Sequence, residues 1–138
     1  MAATDQILEF TLGTERYCID IDYVTEIVDV EQLTEVPNAP PYVEGVMDLR
    51  GETTAIVDPK TIFGLDGDGD GERVIVLDPG VVTEREAAGW LVDGVRRVVG
   101  IDDESVDPAP GSGEAVRGVI KRDGGFVVWV NPRVVHAG

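Results

Sequence analysis

The chain repeats itself. Sliding it along its own length by 71 residues places Asp22-Tyr23-Val24-Thr25-Glu26-Ile27 over Asp93-Gly94-Val95-Arg96-Arg97-Val98, and Pro37 over Pro108. At an offset of 73, Val43-Glu44-Gly45-Val46 lies over Val116-Arg117-Gly118-Val119, and Val57-Asp58-Pro59 over Val130-Asn131-Pro132. Shared composition does not put matches in one order at nearly one offset across both halves. The 138 residues therefore read as two copies of one unit, residues 1–72 and 73–138. A unit of that size buries only about 60% of its unfolded surface and is marginal alone. The two are expected to pack together through a permanent apolar seam.

Each unit reads as strands. Leu8, Phe10 and Leu12 alternate with polar residues, Gly13-Thr14-Glu15 offers a turn, and Tyr17, Ile19 and Ile21 alternate again, which predicts a hairpin of half-buried strands. Val24, Ile27 and Val28 fit either one helical turn or the entry to another strand. Further strands are expected at Val46–Leu49, Glu52–Val57, Arg73–Leu77, Gly89–Val92, Val95–Gly100, Val116–Lys121 and Phe126–Val130, the last two joined by a tight turn at Asp123-Gly124-Gly125. Pro40–Val43 and Pro59–Ile62 fit short helices that begin at proline. The fold class is all-β with short helices. So many antiparallel strands usually close on themselves to remove their edges, so the expected architecture is two small five-stranded barrels side by side.

Charge limits the partners. Residues 1–72 carry 17 acidic against 3 basic side chains and residues 73–138 carry 10 against 8, for a net charge of −16. A chain of that sign is not built to release counterions from nucleic acid or to adhere to an anionic membrane surface. It is too apolar to be disordered, at 43% hydrophobic residues. Only Lys60 and Lys121 are lysines, and a highly acidic, Lys-poor surface suits a cytoplasm of very high salt, where self-repulsion is screened within about 3 Å at 1 M. The N-terminus carries no basic segment followed by an apolar core, and no run reaches the ~20 apolar residues of a membrane span, so a cytoplasmic location without membrane insertion is expected.

Catalytic chemistry finds no foothold in the residue inventory. Cys18 is the only cysteine and His136 the only histidine, the latter close to the C-terminus, so neither a disulfide, an ordinary zinc site nor a nucleophilic triad can be assembled. Phosphate-cradling and dinucleotide fingerprints are absent, no cofactor is expected, and Cys18 reads as a small buried side chain. The segment Asp66-Gly67-Asp68-Gly69-Asp70-Gly71 matches the start of a calcium-binding loop, but Leu77 stands where the bidentate Glu belongs, so a linker from Gly64 to Glu72 is the better reading. A calcium- or small-ligand-sensing module is the alternative function. Arg96 and Arg97, consecutive on a strand, should point to opposite faces and balance local charge. Arg50, in Asp48-Leu49-Arg50-Gly51 before a strand, should be pushed outward by a turn or paired with Asp48 or Glu52.

An ordered set of motifs carries a family resemblance. Phe10-Thr11-Leu12-Gly13, Tyr17-Cys18-Ile19-Asp20-Ile21, Val24-Thr25-Glu26-Ile27, Val36-Pro37-Asn38-Ala39-Pro40, Val43-Glu44-Gly45-Val46, Leu49-Arg50-Gly51 and Ile56-Val57-Asp58 resemble the signature of the CheW family. Val74–Leu77, Val92-Asp93-Gly94-Val95 and Val106-Asp107-Pro108-Ala109-Pro110 continue it. The resemblance implies two SH3-like barrels and a non-enzymatic adaptor in chemotaxis. It implies as partners the regulatory domain of the histidine kinase CheA and the cytoplasmic tip of a chemoreceptor. Carried over by position, Val24, Ile27, Arg50, Gly89, Val95 and Val98 would face the receptor, and Glu26 and Gly45 the kinase. Asp48 stands where the family usually has Asn, Ala55-Ile56-Val57-Asp58-Pro59 replaces Pro-Val-Val-Asp-Leu, and Trp90 replaces a smaller aliphatic residue.

Overall fold

Alternation builds the first hairpin as expected. Thr4–Leu12 (β1) and Glu15–Asp20 (β2) pair antiparallel with Leu12 opposite Glu15, and Gly13 takes φ 63° in the two-residue turn. The structure, a computed structural model, describes residues 4–65, 71–78, 88–102, 106–108, 115–122 and 124–132. The Asp66–Asp70 segment, Ser105, Ser112 and His136 lie outside these residues. A single 3-10 turn, Ile21–Tyr23, leads directly into Val24–Asp29 (β3), so both readings of this segment hold in succession. Val43–Leu49 (β4) and Glu52–Val57 (β5) follow. Pro59–Ile62 forms the expected short helix (α1), with the Asp58 carboxylate accepting a hydrogen bond from the Lys60 N–H at 2.9 Å.

Pro40–Val43 is not a helix. Pro41 and Tyr42 form a turn closed by Val43 N–H donating to the Pro40 carbonyl at 2.9 Å, and β4 begins at once. The pull of the β4–β5 ladder outweighs one turn of helix. The second half contributes Arg73–Leu77 (β6), Ala88–Val92 (β7), Gly94–Asp102 (β8), Val106–Asp107 (β9), Val116–Arg122 (β10) and Gly125–Val130 (β11). Two-residue β9 carries no alternation long enough to be read from sequence.

These strands form two mixed sheets, and both sheets draw on both halves of the chain. One sheet has the order β3-β6-β7-β5-β4; the other has β8-β1-β2-β11-β10-β9. The first takes three strands from the first repeat copy and two from the second, and the other sheet does the converse. Their registers are equivalent. Val28 opposite Val74 corresponds to Val99 opposite Ile7, and the parallel pair Ala55 and Ala88 corresponds to Val128 and Tyr17. The bulge between Val43 and Gly45 recurs between Val116 and Gly118. The expectation of two five-stranded closed barrels is thus corrected in two respects: the strand counts are five and six, and among the described residues neither sheet closes.

Gly45 and Gly118 explain why the bulge recurs. A Cβ at Gly45 would lie 2.5 Å from the Thr34 carbonyl oxygen, and one at Gly118 2.7 Å from that of Asp107. Only glycine lets the neighbouring segment approach, which it does through the Thr34–Val46 bridge and the Asp107–Val119 pair. Gly45→Ala should destabilise the protein by about 2–3 kcal/mol, because backbone must move to make room. Urea denaturation checks this, with Gly13→Ala, where a Cβ meets nothing within 4 Å, separating crowding from backbone preference.

Three apolar clusters divide the core. Ile7, Cys18, Ile101, Ile120, Val127 and Trp129 belong to the six-stranded sheet alone, and Met47, Ile56, Val74 and Val76 to the five-stranded sheet alone. The largest joins the two: Leu8, Phe10, Tyr17, Ile19 and Val130 meet Val57, Ile75, Leu77, Trp90 and Val92. Repeat-equivalent residues face each other here, Leu8 with Ile75, Ile19 with Trp90 and Val57 with Val130 among them. The expected apolar seam is therefore present. It is tied at its rim by Asp93, whose carboxylate accepts from Lys60 Nζ at 2.9–3.0 Å, from Gly71 N–H at 3.0 Å and from the Gly13 N–H. Three distant points of the chain converge on one side chain.

Candidate functional site

Arg50 sits at a turn, as the sequence suggests, but its partner lies on another strand. The residue adopts φ 51°, uncommon for a side chain other than glycine, and Asp48 Oδ1 accepts the Gly51 N–H at 2.8 Å to close the turn. Asp48 is thereby committed to backbone, which corrects the expectation that it or Glu52 would hold Arg50. The guanidinium instead grips Glu26 on β3 with both nitrogens, Nη1 to Oε1 at 3.0 Å and Nη2 to Oε2. Hydrogen bonds from Arg50 hold the Glu26 carboxyl below the usual carboxylate range, against the opposing effect of burial, and the same bonds raise the Arg50 guanidinium. The Arg50 side chain is still 70% exposed.

This pair spans the mouth of a groove of about 250 Å³ lined by Thr25, Glu26, Leu49, Arg50, Glu52, Thr54, Val76 and Leu77. It joins two residues that the family resemblance assigned to different partners. A second groove of about 430 Å³ runs along β4 between Glu31, Gln32 and Thr34 on one side and Val46–Asp48 and Thr53 on the other. It contains none of the candidate residues.

The other candidates separate by depth. Val24, Ile27 and Val95 are partly buried and pack on the shared core, whereas Val98 on β8 is 48% exposed. Gly89 is buried in β7 between β5 and β6, where a Cβ would lie 2.5 Å from Val74 Cγ1, and buried Gly45 has the close-packing role already described. The two glycines offer no side chain to a partner. The structure therefore brings Arg50 and Glu26 into contact, sets Val24, Ile27 and Val95 against the seam, and leaves Val98 outermost.

Arg96 and Arg97 do not diverge to opposite faces. A bulge in the β1–β8 pairing between Glu9 and Phe10 sets both beside Glu9, their Nε atoms 3.4 and 3.3 Å from its Oε2. Strand alternation alone cannot reveal this, because it depends on the register with β1. Cys18 is fully buried, and burial, then the carboxylates of Glu9 and Asp20, push its thiol far above the ordinary range, so it is no nucleophile. Among the described residues no group of His, Cys, Asp and Glu gathers for a metal ion, and no helix is long and apolar enough to cross a membrane.

Comparison with known proteins agrees with the motif reading. The CheW-like domain family matches residues 6–137. A Chemotaxis protein CheW of Klebsiella aerogenes is 39% identical over 107 residues, covering 76% of this chain and 62% of that protein. A Chemotaxis protein CheW of Treponema pallidum is 32% identical over 142 residues, covering 93% and 81%. The crystal structure of the scaffolding protein TtCheW from Thermoanaerobacter tengcongensis has a TM-score of 0.84 to this fold at 28% identity, covering 98% of this chain and 89% of that one. With an ordered motif set, a matching architecture and a family match across nearly its whole length, the chain belongs to the CheW-like domain family.

Proposed function

We propose that this protein is a non-enzymatic chemotaxis scaffold that couples chemoreceptors to the histidine kinase CheA. The carrying observation is the CheW-like match over residues 6–137, to which relatives named as chemotaxis and scaffolding proteins add support. In this reading the protein binds the kinase regulatory domain and a receptor's cytoplasmic tip at once. Linked binding raises the effective concentration of kinase at the receptor and couples their conformational equilibria. Receptor contact falls to Val24, Ile27, Arg50, Gly89, Val95 and Val98, and kinase contact to Glu26 and Gly45. The Arg50–Glu26 pair joins the two sets, so a partner that engages either residue alters what the other presents.

The functional halves remain 1–72 and 73–138, each taken as half of an SH3-like pair, in a cytoplasm of high salt. At high salt, long-range attraction is screened and apolar anchors must carry binding. Kinase affinity should change little between about 0.5 and 3 M salt; a collapse over that range would count against the setting.

Reconstitution tests the function directly. Kinase activity with receptor-bearing membranes is measured with this protein, without it, and with Arg50→Ala. Stimulation should require the protein and fall by about tenfold or more with the variant, the scale of a lost hot spot. Equal activity in all three samples overturns the proposal.

A further inference from the structure

The repeat allows one end of each sheet to be set against its counterpart. In the five-stranded sheet Glu26 on β3 lies opposite Val76 on β6, beside Thr54 and the Arg50 turn, and these residues form the groove described above. By register, the same places in the six-stranded sheet belong to Arg97 on β8, Glu9 on β1, Val127 on β11 and the β10–β11 turn. There the character is reversed. Glu9 is 1% exposed and is met by Arg96 and Arg97 at its Oε2, while Arg16 Nη1 stands 3.9 Å from Oε1. Arg16 Nη2 also donates to the Arg122 carbonyl at 2.9 Å, tying β2 to the turn.

Three guanidinium groups around one carboxylate leave a local positive charge on a chain whose net charge is −16. Holding them costs desolvation of Glu9, a cost that a cluster serving charge balance alone would avoid by staying at the surface. The Arg96 and Arg97 side chains are 46% and 43% exposed, so the cluster opens outward. It opens at a sheet edge, because among the described residues β8 pairs only with β1. Exposed Val98 follows directly on that strand.

We propose that the edge of β8 is a second docking surface, which takes an extended, carboxylate-bearing segment of a partner protein. The segment adds as a strand beside β8 and its Asp or Glu side chains meet Arg96 and Arg97, while buried Glu9 and Arg16 fix where those guanidinium groups stand. Edge charges and a bulge repel indiscriminate apolar strands, so the same features that permit an acidic segment exclude others. Opposite charge at repeat-equivalent ends lets one scaffold separate two kinds of partner.

A fluorescent peptide alternating Glu with Val is the probe, with Gln in place of Glu as its control, and binding is read by anisotropy. The Glu peptide should bind at least about tenfold more tightly than the control, and Arg96→Gln or Arg97→Gln should each weaken it about tenfold. Arg73→Gln, which removes an equal charge from the five-stranded sheet, should leave it unchanged. Because loss of binding could follow from lost structure, Glu9→Gln supplies the opposite sign: removing the buried negative charge should tighten binding about threefold or more. Equal binding of both peptides, no binding by either, or weaker binding in Glu9→Gln overturns the proposal.

Discussion

Replacing Trp90 with Ala is expected to lower the free energy of unfolding by about 3–5 kcal/mol, the range for emptying a large aromatic site in a packed core. Trp90 is fully buried and meets Phe10 and Phe63 edge-on, both at 6.1 Å between ring centroids. Phe10 and Phe63 in turn stack on Tyr17, so one side chain of β7 braces β1, β2 and α1 at once. Partial collapse into the space is hindered because its walls belong to two sheets. The measurement is built into the sequence: the chain has two tryptophans, and Trp129 belongs to the cluster of the six-stranded sheet alone. In Trp90→Ala the fluorescence of Trp129 should report a single urea transition at a lower midpoint. If Trp129 kept the wild-type midpoint, the two sheets would be folding independently and the shared core would not be what holds them.

Asp93→Asn should cost about 3 kcal/mol at neutral pH, near the lower end for breaking a buried ion pair. Lys60 and Asp93 are only 9% and 16% exposed at their side chains, and the variant leaves the ammonium in a poorly hydrated place without that carboxylate. The pH dependence has a definite sign. Burial by itself raises the Asp93 carboxyl, but the Gly13 N–H, the Lys60 ammonium and the Gly71 N–H together outweigh it and bring the folded-state value below the ordinary one. A depressed folded-state pKa gives stability that is present above the unfolded carboxyl value of about 3.9 and is lost as pH falls through the folded value. The advantage of wild type over Asp93→Asn should thus be constant at neutral pH and shrink below about pH 4. Melting curves of both proteins from pH 7 downward check this; a gap that widened on acidification would contradict the role given to Asp93.

The candidate site was only partly legible. Motifs named Arg50 and Glu26, because residue type and order are what a family signature preserves, but nothing local joins a residue after β4 to one on β3 across 24 positions. The nearer acids Asp48 and Glu52 were the reasonable guess. They lose because Asp48 serves the turn's own N–H and because the sheet brings Glu26 alongside. Arg96 and Arg97 show the same limit: alternation assigns them opposite faces, and one bulge against Glu9 overrules it.

By itself the sequence determined the repeat, nearly all the strands, the apolar seam and the family, since each of these follows from local alternation, turn residues and ordered motifs. Only the tertiary structure decided which strands share a sheet. Side-chain period tells a strand which face to bury but not whose edge to join, and the backbone groups of β1 and β2 can be satisfied by strands of either copy. The chain joins β1 and β2 to strands of the second copy, and β6 and β7 to strands of the first. The boundary at residue 72 is therefore crossed by both sheets, and neither can form fully without residues from the other half.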